Sequence, residues 1–370
     1  MVYLDLLLVG FGRVGRRFTE LLEEQSVRLR GEYDLSWRVV GIATRRHGTA
    51  YDARGLDLVK ARRLAGAGAS LASLTGAESG RTIAAEASGL ALIRHATAES
   101  AARRMPQLVV VETTTLDVER GQPATDHVMA ALRGGAHVVT ANKGPVAFAY
   151  REIASAAGVA RRRFLFEGTV MDGTPLFSLV RETLPGVRVL GFRGILNATT
   201  NYVLTAMEEG RSFERALSDM QEAGIAEADA SLDIDGWDAA AKTAAIANVL
   251  MRGSVTPRGI ERTGIRDISS KRVLDAVSRG RRVRLVASAE WVDDRLAGRV
   301  APVELDEADP LARLAGLQNE VVLKTDLLGP IGIQQFDGGL AQTAYALLSD
   351  LVTIAKGLSR GETSAAPPLR

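Results

Sequence analysis

The chain contains no cysteine, only four histidines and 5% aromatic residues. Without cysteine there is no disulfide, no thiolate nucleophile and no cysteine-ligated zinc or iron–sulfur centre. His47, His95, His127 and His137 include no pair at a metal-ligand spacing such as H-E-x-x-H. No uncharged apolar stretch approaches the roughly 20 residues of a membrane-spanning helix. The apolar start, Val2 to Gly10, has no basic leader and is interrupted by Asp5. Excess charge of one sign is also missing: a net charge of +2 gives no bulk attraction to nucleic acid or membrane. A cytosolic protein with neither kind of partner is expected. The local basic runs, Arg161-Arg162-Arg163 and Arg279, Arg281, Arg282 and Arg284, read as solvated faces.

What is present suits a two-part globular enzyme: 370 residues, 46% hydrophobic and 24% charged. Leu4 to Val9 reads as a buried parallel strand, and Val14, Phe18, Leu21 and Leu22 then recur at helical spacing. Further strands are expected at Trp37–Ala43, Leu108–Glu112 and Ala136–Thr140, with a helix at Ala124–Leu132. This alternation over residues 1–143 predicts a doubly wound parallel sheet. Residues 64–92, rich in Ala, Gly and Ser, read as a helical or poorly packed peripheral insertion. After Gly144-Pro145 the pattern changes. Longer strands of a mixed or antiparallel sheet are expected at Arg188–Leu196, Val283–Trp291 and Arg299–Leu305, with helices at 212–224 and 237–251. An apolar helix, Ala341–Ala355, precedes a frayed tail, 356–370.

Gly10-Phe11-Gly12-Arg13-Val14-Gly15 joins the first strand to the first helix. A lone G-x-G-x-x-G is weak evidence, because glycine turns are common. The flanking strand and helix supply the context in which it lets backbone approach a dinucleotide pyrophosphate. An acidic residue at the end of the second strand would select NAD, whereas Arg45 and Arg46 stand there, with Lys60 beyond. These cations predict NADP over NAD; ordinary solvated charge is the plainer alternative. Asp235 and Gly236 suit a helix start, which puts Asp238 in the first turn and Lys242 one turn later on the same face. Exposed, that pair would be a minor ion pair. The alanines at 239, 240, 241, 244 and 245 suggest close helix packing, and a desolvated amine can exchange a proton with a substrate hydroxyl.

Five ordered blocks carry a more specific resemblance: Glu112-Thr113-Thr114-Thr115 with Gly121-Gln122-Pro123-Ala124; Thr140-Ala141-Asn142-Lys143-Gly144-Pro145; Phe166-Glu167-Gly168-Thr169-Val170 through Thr174-Pro175; Asn197-Ala198-Thr199-Thr200-Asn201-Tyr202; and Ala226-Glu227-Ala228-Asp229 with Asp233 through Lys242. Over residues 1 to about 355 the chain resembles the homoserine dehydrogenases, in a form without an appended regulatory domain. The resemblance implies a Rossmann-like α/β domain, 1–143 completed by 326–355, and an α+β catalytic and dimerisation domain, 144–325. It implies interconversion of L-homoserine and L-aspartate 4-semialdehyde, by a homodimer serving threonine and methionine biosynthesis. Lys143 and Lys242 match the proton-transfer lysines; Glu227 and Asp238 match the residues that hold the substrate ammonium, with Asp233, Thr199 and Ala198 beside them. Thr113, Thr114, Asn142, Lys143 and Gly338 would face the cofactor. A structural sodium ion would sit on main-chain carbonyls in the block containing Glu167, Val170, Asp172 and Thr174.

Gly168, Asp172, Ala198, Ile225 and Ala230 depart from the family's usual residues, as drift or as a sign of a different amino alcohol. A related dehydrogenase on the same scaffold and a non-catalytic nucleotide-binding regulator are the rival readings. Retention of Lys143, Glu227, Asp238 and Lys242 together speaks against the regulator. With the glycine motif starting at Gly10 and some fifteen residues after Ala355, no inhibition by L-threonine beyond competition at the pocket is expected.

Overall fold

The computed structural model describes residues 1–75, 83–103, 107–223, 225–226 and 229–361. The apolar N-terminal run is strand β1 (Val2–Val9), followed by α1 (Arg13–Glu24), α2 (Ser26–Tyr33) and β2 (Leu35–Thr44). Then come β3 (Gly48–Tyr51), α3 (Leu58–Gly66), α4 (Gly89–Arg103), β4 (Gln107–Glu112), α5 (Ala124–Arg133), β5 (His137–Thr140), α6 (Lys143–Ala160) and β6 (Phe164–Leu165). These strands form one sheet in the order β3-β2-β1-β4-β5-β6. All neighbours run parallel except the edge strand β3, which folds back antiparallel on β2. Alternation along β1 explains the two layers. Leu4, Leu6 and Leu8 pack with Phe18 and Leu22 of α1 on one face; Leu7 and Val9 pack with Leu92, Val128 and Val146 on the other.

The second half begins with α7 (Phe177–Thr183), β7 (Val189–Ile195), α8 (Ala198–Glu208), α9 (Phe213–Glu222), α10 (Ser231–Ile234) and α11 (Trp237–Leu250). It continues through β8 (Glu261–Arg262), α12 (Ser270–Ser278), β9 (Arg281–Val292), β10 (Arg295–Asp306), β11 (Asn319–Thr325) and β12 (Pro330–Gln335). Its sheet order is β12-β11-β7-β9-β10-β8, antiparallel throughout save the short β10–β8 pairing. The last helix, α13 (Leu340–Ser359), returns to the first sheet, where Leu347, Leu351 and Ile354 join the β1 and α1 side of the core.

Several sequence expectations need correction. The closing helix continues through Ser359, four residues into the segment read as a frayed tail, because Leu358 still packs on the core; residues 362–370 lie outside the described residues. The segment 64–92, as far as it is described, is anchored: Leu71 and Leu92 are fully buried, and Thr49 donates to the carbonyls of Ala85 and Ala87. Its small residues let the chain lie close against β3. The arginine runs are not simply solvated. Arg162 donates to the Gly135 carbonyl, Arg163 is buried, and Arg284 is 2% exposed inside the second sheet. Burial, with Arg162 and Arg163 nearby, pushes the His137 imidazole down to about 3.

A buried carboxylate couples α13 to the start of α7. Glu167 accepts the backbone N–H groups of Leu176 (2.7 Å), Phe177 (2.8 Å) and Ser178 (2.8 Å), satisfying orphan donors at that helix start. Its own N–H donates to Asp350 of α13 at 3.0 Å. Burial, and then the Glu167 charge, raise the Asp350 carboxyl well above the usual carboxylate range. A raised folded-state value means that the folded chain holds the proton more tightly than the unfolded one. Stability therefore falls as pH rises from about 4, the unfolded value, until the folded group ionises. Asp350→Asn keeps an acceptor for Glu167 and removes this penalty. Its Tm should exceed the parent's by a few degrees at pH 8 and match it near pH 4; scanning calorimetry showing a lower Tm at pH 8 would refute the assignment.

Candidate active site

The C-terminal ends of β1 and β4 create the first half of the site. Gly10 has φ +98°, and a Cβ there would lie 2.6 Å from the carbonyl carbon of Thr113, so only glycine lets the two strand ends meet. A Cβ at Gly15 would come within 3.0 Å of the Gly10 carbonyl oxygen. Gly12, by contrast, faces open space, and as N-cap of α1 it offers no side chain to the first-turn N–H groups. This is a cradle that a dinucleotide pyrophosphate fits: close backbone, first-turn N–H groups with no side-chain cap, and the positive end of the helix dipole. Phe11 is buried beneath the turn, while Arg13 is exposed and Val14 half-buried. Arg45 and Arg46 are exposed in the turn from β2 to β3, which the Thr44 hydroxyl closes by accepting the His47 N–H at 2.7 Å. Lys60 goes elsewhere; its amine donates to the Ser73 carbonyl at 3.0 Å.

The second half is wired to the first through Asn142. Its amide donates to the Thr114 carbonyl at 2.9 Å, and its oxygen caps α6 by accepting the Gly144 N–H at 2.8 Å. The fully buried Glu112 holds the same loop, accepting from the N–H and hydroxyl of Thr114 and from the Thr140 hydroxyl. Thr113 donates back to the Gly10 carbonyl at 3.0 Å. Lys143 is the first residue of α6, so this network aims it. The α6 and α11 helices then pack through alanines, with Ala147, Ala240, Ala244 and Ala245 fully buried. Asn248 staples them: its amide donates to the carbonyls of Ala147 (3.1 Å) and Val255 (2.9 Å).

That packing brings two lysines to one carboxylate. Lys143 Nζ lies 3.3 Å from Asp238 Oδ1, and Lys242 Nζ lies 2.9 Å from Asp238 Oδ2. Lys242 also donates to the Leu196 carbonyl at 2.6 Å, which accounts for two of its three N–H groups and leaves one for a ligand. Asn197, the N-cap of α8, donates to Asp233 (2.7 Å) and to Asp238 (3.0 Å). Burial works against the Asp238 charge, but Lys242, Lys143 and Asn197 outweigh it and hold the carboxyl below the usual carboxylate range. Asp233 moves the other way, raised by burial and by the Asp238 charge. Burial opposes the Lys242 charge, yet Asp238, Asp172 and Asp233 prevail and raise its value, so the amine stays protonated at neutral pH.

The remaining expected residues fall around this centre. Thr199 is buried at the start of α8, hydrogen-bonded toward Asp233, with Ala198 beside it. Glu227 lies outside the described residues. Asp172 accepts the Thr343 hydroxyl at 3.2 Å and packs so closely on Gly338 that a Cβ there would meet it at 2.5 Å. Gly168 likewise suits its place between Ala141 and Ala346, and Ile225 is 48% exposed. In the 167–174 block the Glu167 carboxylate is spent on α7, so a cation would find main-chain oxygens rather than that side chain. Met171, Asp172 and Gly173 are successively left-handed there, a run that re-aims its carbonyls. No group of three or more acidic or histidine side chains that could hold a metal occurs among the described residues. Nor, among them, is any helix long and apolar enough to cross a membrane. Asn197 and Glu112 were not singled out from sequence; an Asn before a helix start signals a cap, not a bridge between aspartates 36 and 41 positions away.

Comparison with known proteins agrees with this geometry. Residues 10–167 match the NAD-binding domain of homoserine dehydrogenase, and residues 175–352 match the homoserine dehydrogenase family model. The chain is 33% identical over 361 residues to the NAD(+)-dependent homoserine dehydrogenase of Pseudomonas canavaninivorans, covering 97% of this chain and 98% of that one. It is 36% identical over 352 residues to the homoserine dehydrogenase of Methanocaldococcus jannaschii, covering 95% and 98%. A homoserine dehydrogenase crystal structure from Thiobacillus denitrificans superposes with a TM-score of 0.77 at 27% identity, over 100% of this chain and 78% of that one. The chain belongs to the homoserine dehydrogenase family of oxidoreductases.

Proposed function

We propose that Lys242 and Lys143, gathered on Asp238, with Lys143 following Asn142 at the start of α6, handle the proton in the interconversion of L-homoserine and L-aspartate 4-semialdehyde. The observation that carries this reading is the two-lysine contact with one carboxylate, 3.3 and 2.9 Å. When bound, the nicotinamide cofactor supplies the hydride acceptor or donor. Lys242, kept protonated, suits donation to the aldehyde oxygen in reduction, and in oxidation it must first lose its proton before taking the hydroxyl's. Asp238, with Glu227 and Asp233, would hold the substrate ammonium, and Thr199 with the Ala198 backbone would face the carboxylate end. The Gly10–Gly15 turn, Thr113, Thr114, Asn142 and Gly338 would hold the cofactor. Main-chain oxygens around Glu167, Val170, Asp172 and Thr174 are assigned to a sodium ion. The split domain arrangement, a homodimer, a cytoplasmic location and a place in threonine and methionine biosynthesis belong to the same reading, supported by family membership.

NADP is the proposed preferred cofactor, supported by Arg45 and Arg46 exposed where an acid would favour NAD. Arg45→Ala should erode the preference about tenfold, the scale of one lost charged contact of roughly 1.4 kcal/mol. Calorimetric titration giving equal affinity for both cofactors in the parent would end this assignment. A substrate other than L-homoserine is favoured by one feature, the additional Asp172 charge acting on Lys242. Steady-state rates on L-homoserine and a panel of amino alcohols decide between them: homoserine should give the highest kcat/KM, and a different best substrate would displace the reading.

A further inference from the structure

Beside the first turn of α11, a cavity of ≈ 400 Å³ opens at the β8 edge of the second sheet, with neither lysine among its lining residues. Four arginines, Arg262, Arg266, Arg272 and Arg299, line it against two aspartates, Asp235 and Asp267. Two of the guanidinium groups are fixed in place. Arg262 stacks 3.8 Å from the centroid of the Trp237 ring and donates to the Asp235 carbonyl. Arg266 makes a two-pronged contact with the Asp235 carboxylate, 2.9 and 3.0 Å. The other two are held loosely at the rim, Arg272 3.8 Å from Glu304 and Arg299 3.4 Å from Glu261, with side chains 45% and 60% exposed.

Exposed ion pairs of that kind contribute little to stability, so their arginines can change partner at little cost. A phosphate dianion offers planar guanidinium groups several charged acceptors at once, a stronger match than a single rim glutamate. We propose that this cavity is a binding site for a small phosphate-bearing ligand, held mainly by Arg272 and Arg299 over the Arg262–Trp237 platform. Its volume suits a small ligand. Trp237 immediately precedes Asp238, and a Cβ built on the left-handed Gly236 would already touch the Arg262 side chain at 3.4 Å. A ligand here would therefore bear on the turn that sets Asp238.

The test uses the full chain saturated with NADP, so that the glycine-rich turn is filled. Inorganic phosphate should bind by calorimetry and raise Tm above sodium chloride of equal ionic strength, with succinate giving a smaller rise. The Arg272→Ala/Arg299→Ala double variant should keep the parent's phosphate-free Tm and dehydrogenase rate while losing phosphate affinity about tenfold or more, because both charged donors to the phosphate are gone. Phosphate acting no better than chloride, succinate equalling phosphate, or undiminished binding in the double variant would each overturn the proposal.

Discussion

Replacing Lys242 by alanine should lower turnover about 100-fold or more, the usual scale for a lost acid–base group, while the cofactor dissociation constant stays within about twofold. The two effects separate because the contacts are separate. Lys242 touches Asp238 and the Leu196 carbonyl, whereas the proposed pyrophosphate cradle lies at Gly10, Gly12 and Gly15 at the start of α1. Asp238 keeps Lys143 and Asn197 after the substitution, so the local fold should survive. Lys242→Arg, which retains the charge but gives up its proton far less readily, should be nearly as slow. In the parent, Asp238, Asp172 and Asp233 raise the Lys242 value, so homoserine oxidation should speed up with rising pH and aldehyde reduction should not. Stopped-flow rates in both directions measure this. Alanine and parent enzymes with turnover within about fivefold would remove Lys242 from the mechanism.

The parts of this site that were legible in the sequence are those written locally. The strand–glycine–helix start announces itself because Gly10 must accept a positive φ that other residues resist, and because a continuous apolar run gives way to helical spacing across it. The Asp238–Lys242 pair was readable from one helical turn and the alanines around it. Gly144-Pro145, after which the sequence pattern changes, lies within the first turn of α6, where proline forfeits an N–H that has no partner anyway. The strand β12, with Pro330, Gly332 and two glutamines among its six residues, has too little apolar alternation to be seen. The bridge from Asn197 to two aspartates, and the fixing of the Thr114–Thr115 carbonyls by Asn142, join residues distant in sequence, which single-chain periodicity does not encode. Arg284 is the clearest failure. It sits in a run of arginines that looks like a solvated edge, but β9 is covered on both faces from Val283 to Ala287, and Arg284 is buried along with its neighbours.

That inward arginine makes Glu208 the residue whose loss should destabilise the fold most. The Arg284 guanidinium donates to the carbonyls of Val283 (2.9 Å), Ala312 (3.0 Å) and Leu314 (3.1 Å), and among the described residues its one carboxylate contact is with Glu208 at the end of α8. The carbonyls satisfy its hydrogen bonds without neutralising its charge. Glu208→Ala therefore leaves a cation in the interior with neutral partners alone, a loss of about 3–5 kcal/mol for a broken buried pair. At roughly 2–4 °C per kcal/mol for a large domain, Tm should fall by about 10 °C. Glu208→Gln, which keeps the acceptor but not the charge, should fall less. The paired change Glu208→Leu/Arg284→Met should recover much of the loss, because it removes the uncompensated charge instead of isolating it. Thr199 lies at the opposite end of α8, so turnover of the folded fraction should stay near the parent's. Differential scanning calorimetry on the four proteins checks the order. A single Glu208→Ala variant melting within a degree or two of the parent would mean that the three carbonyls alone suffice to bury Arg284.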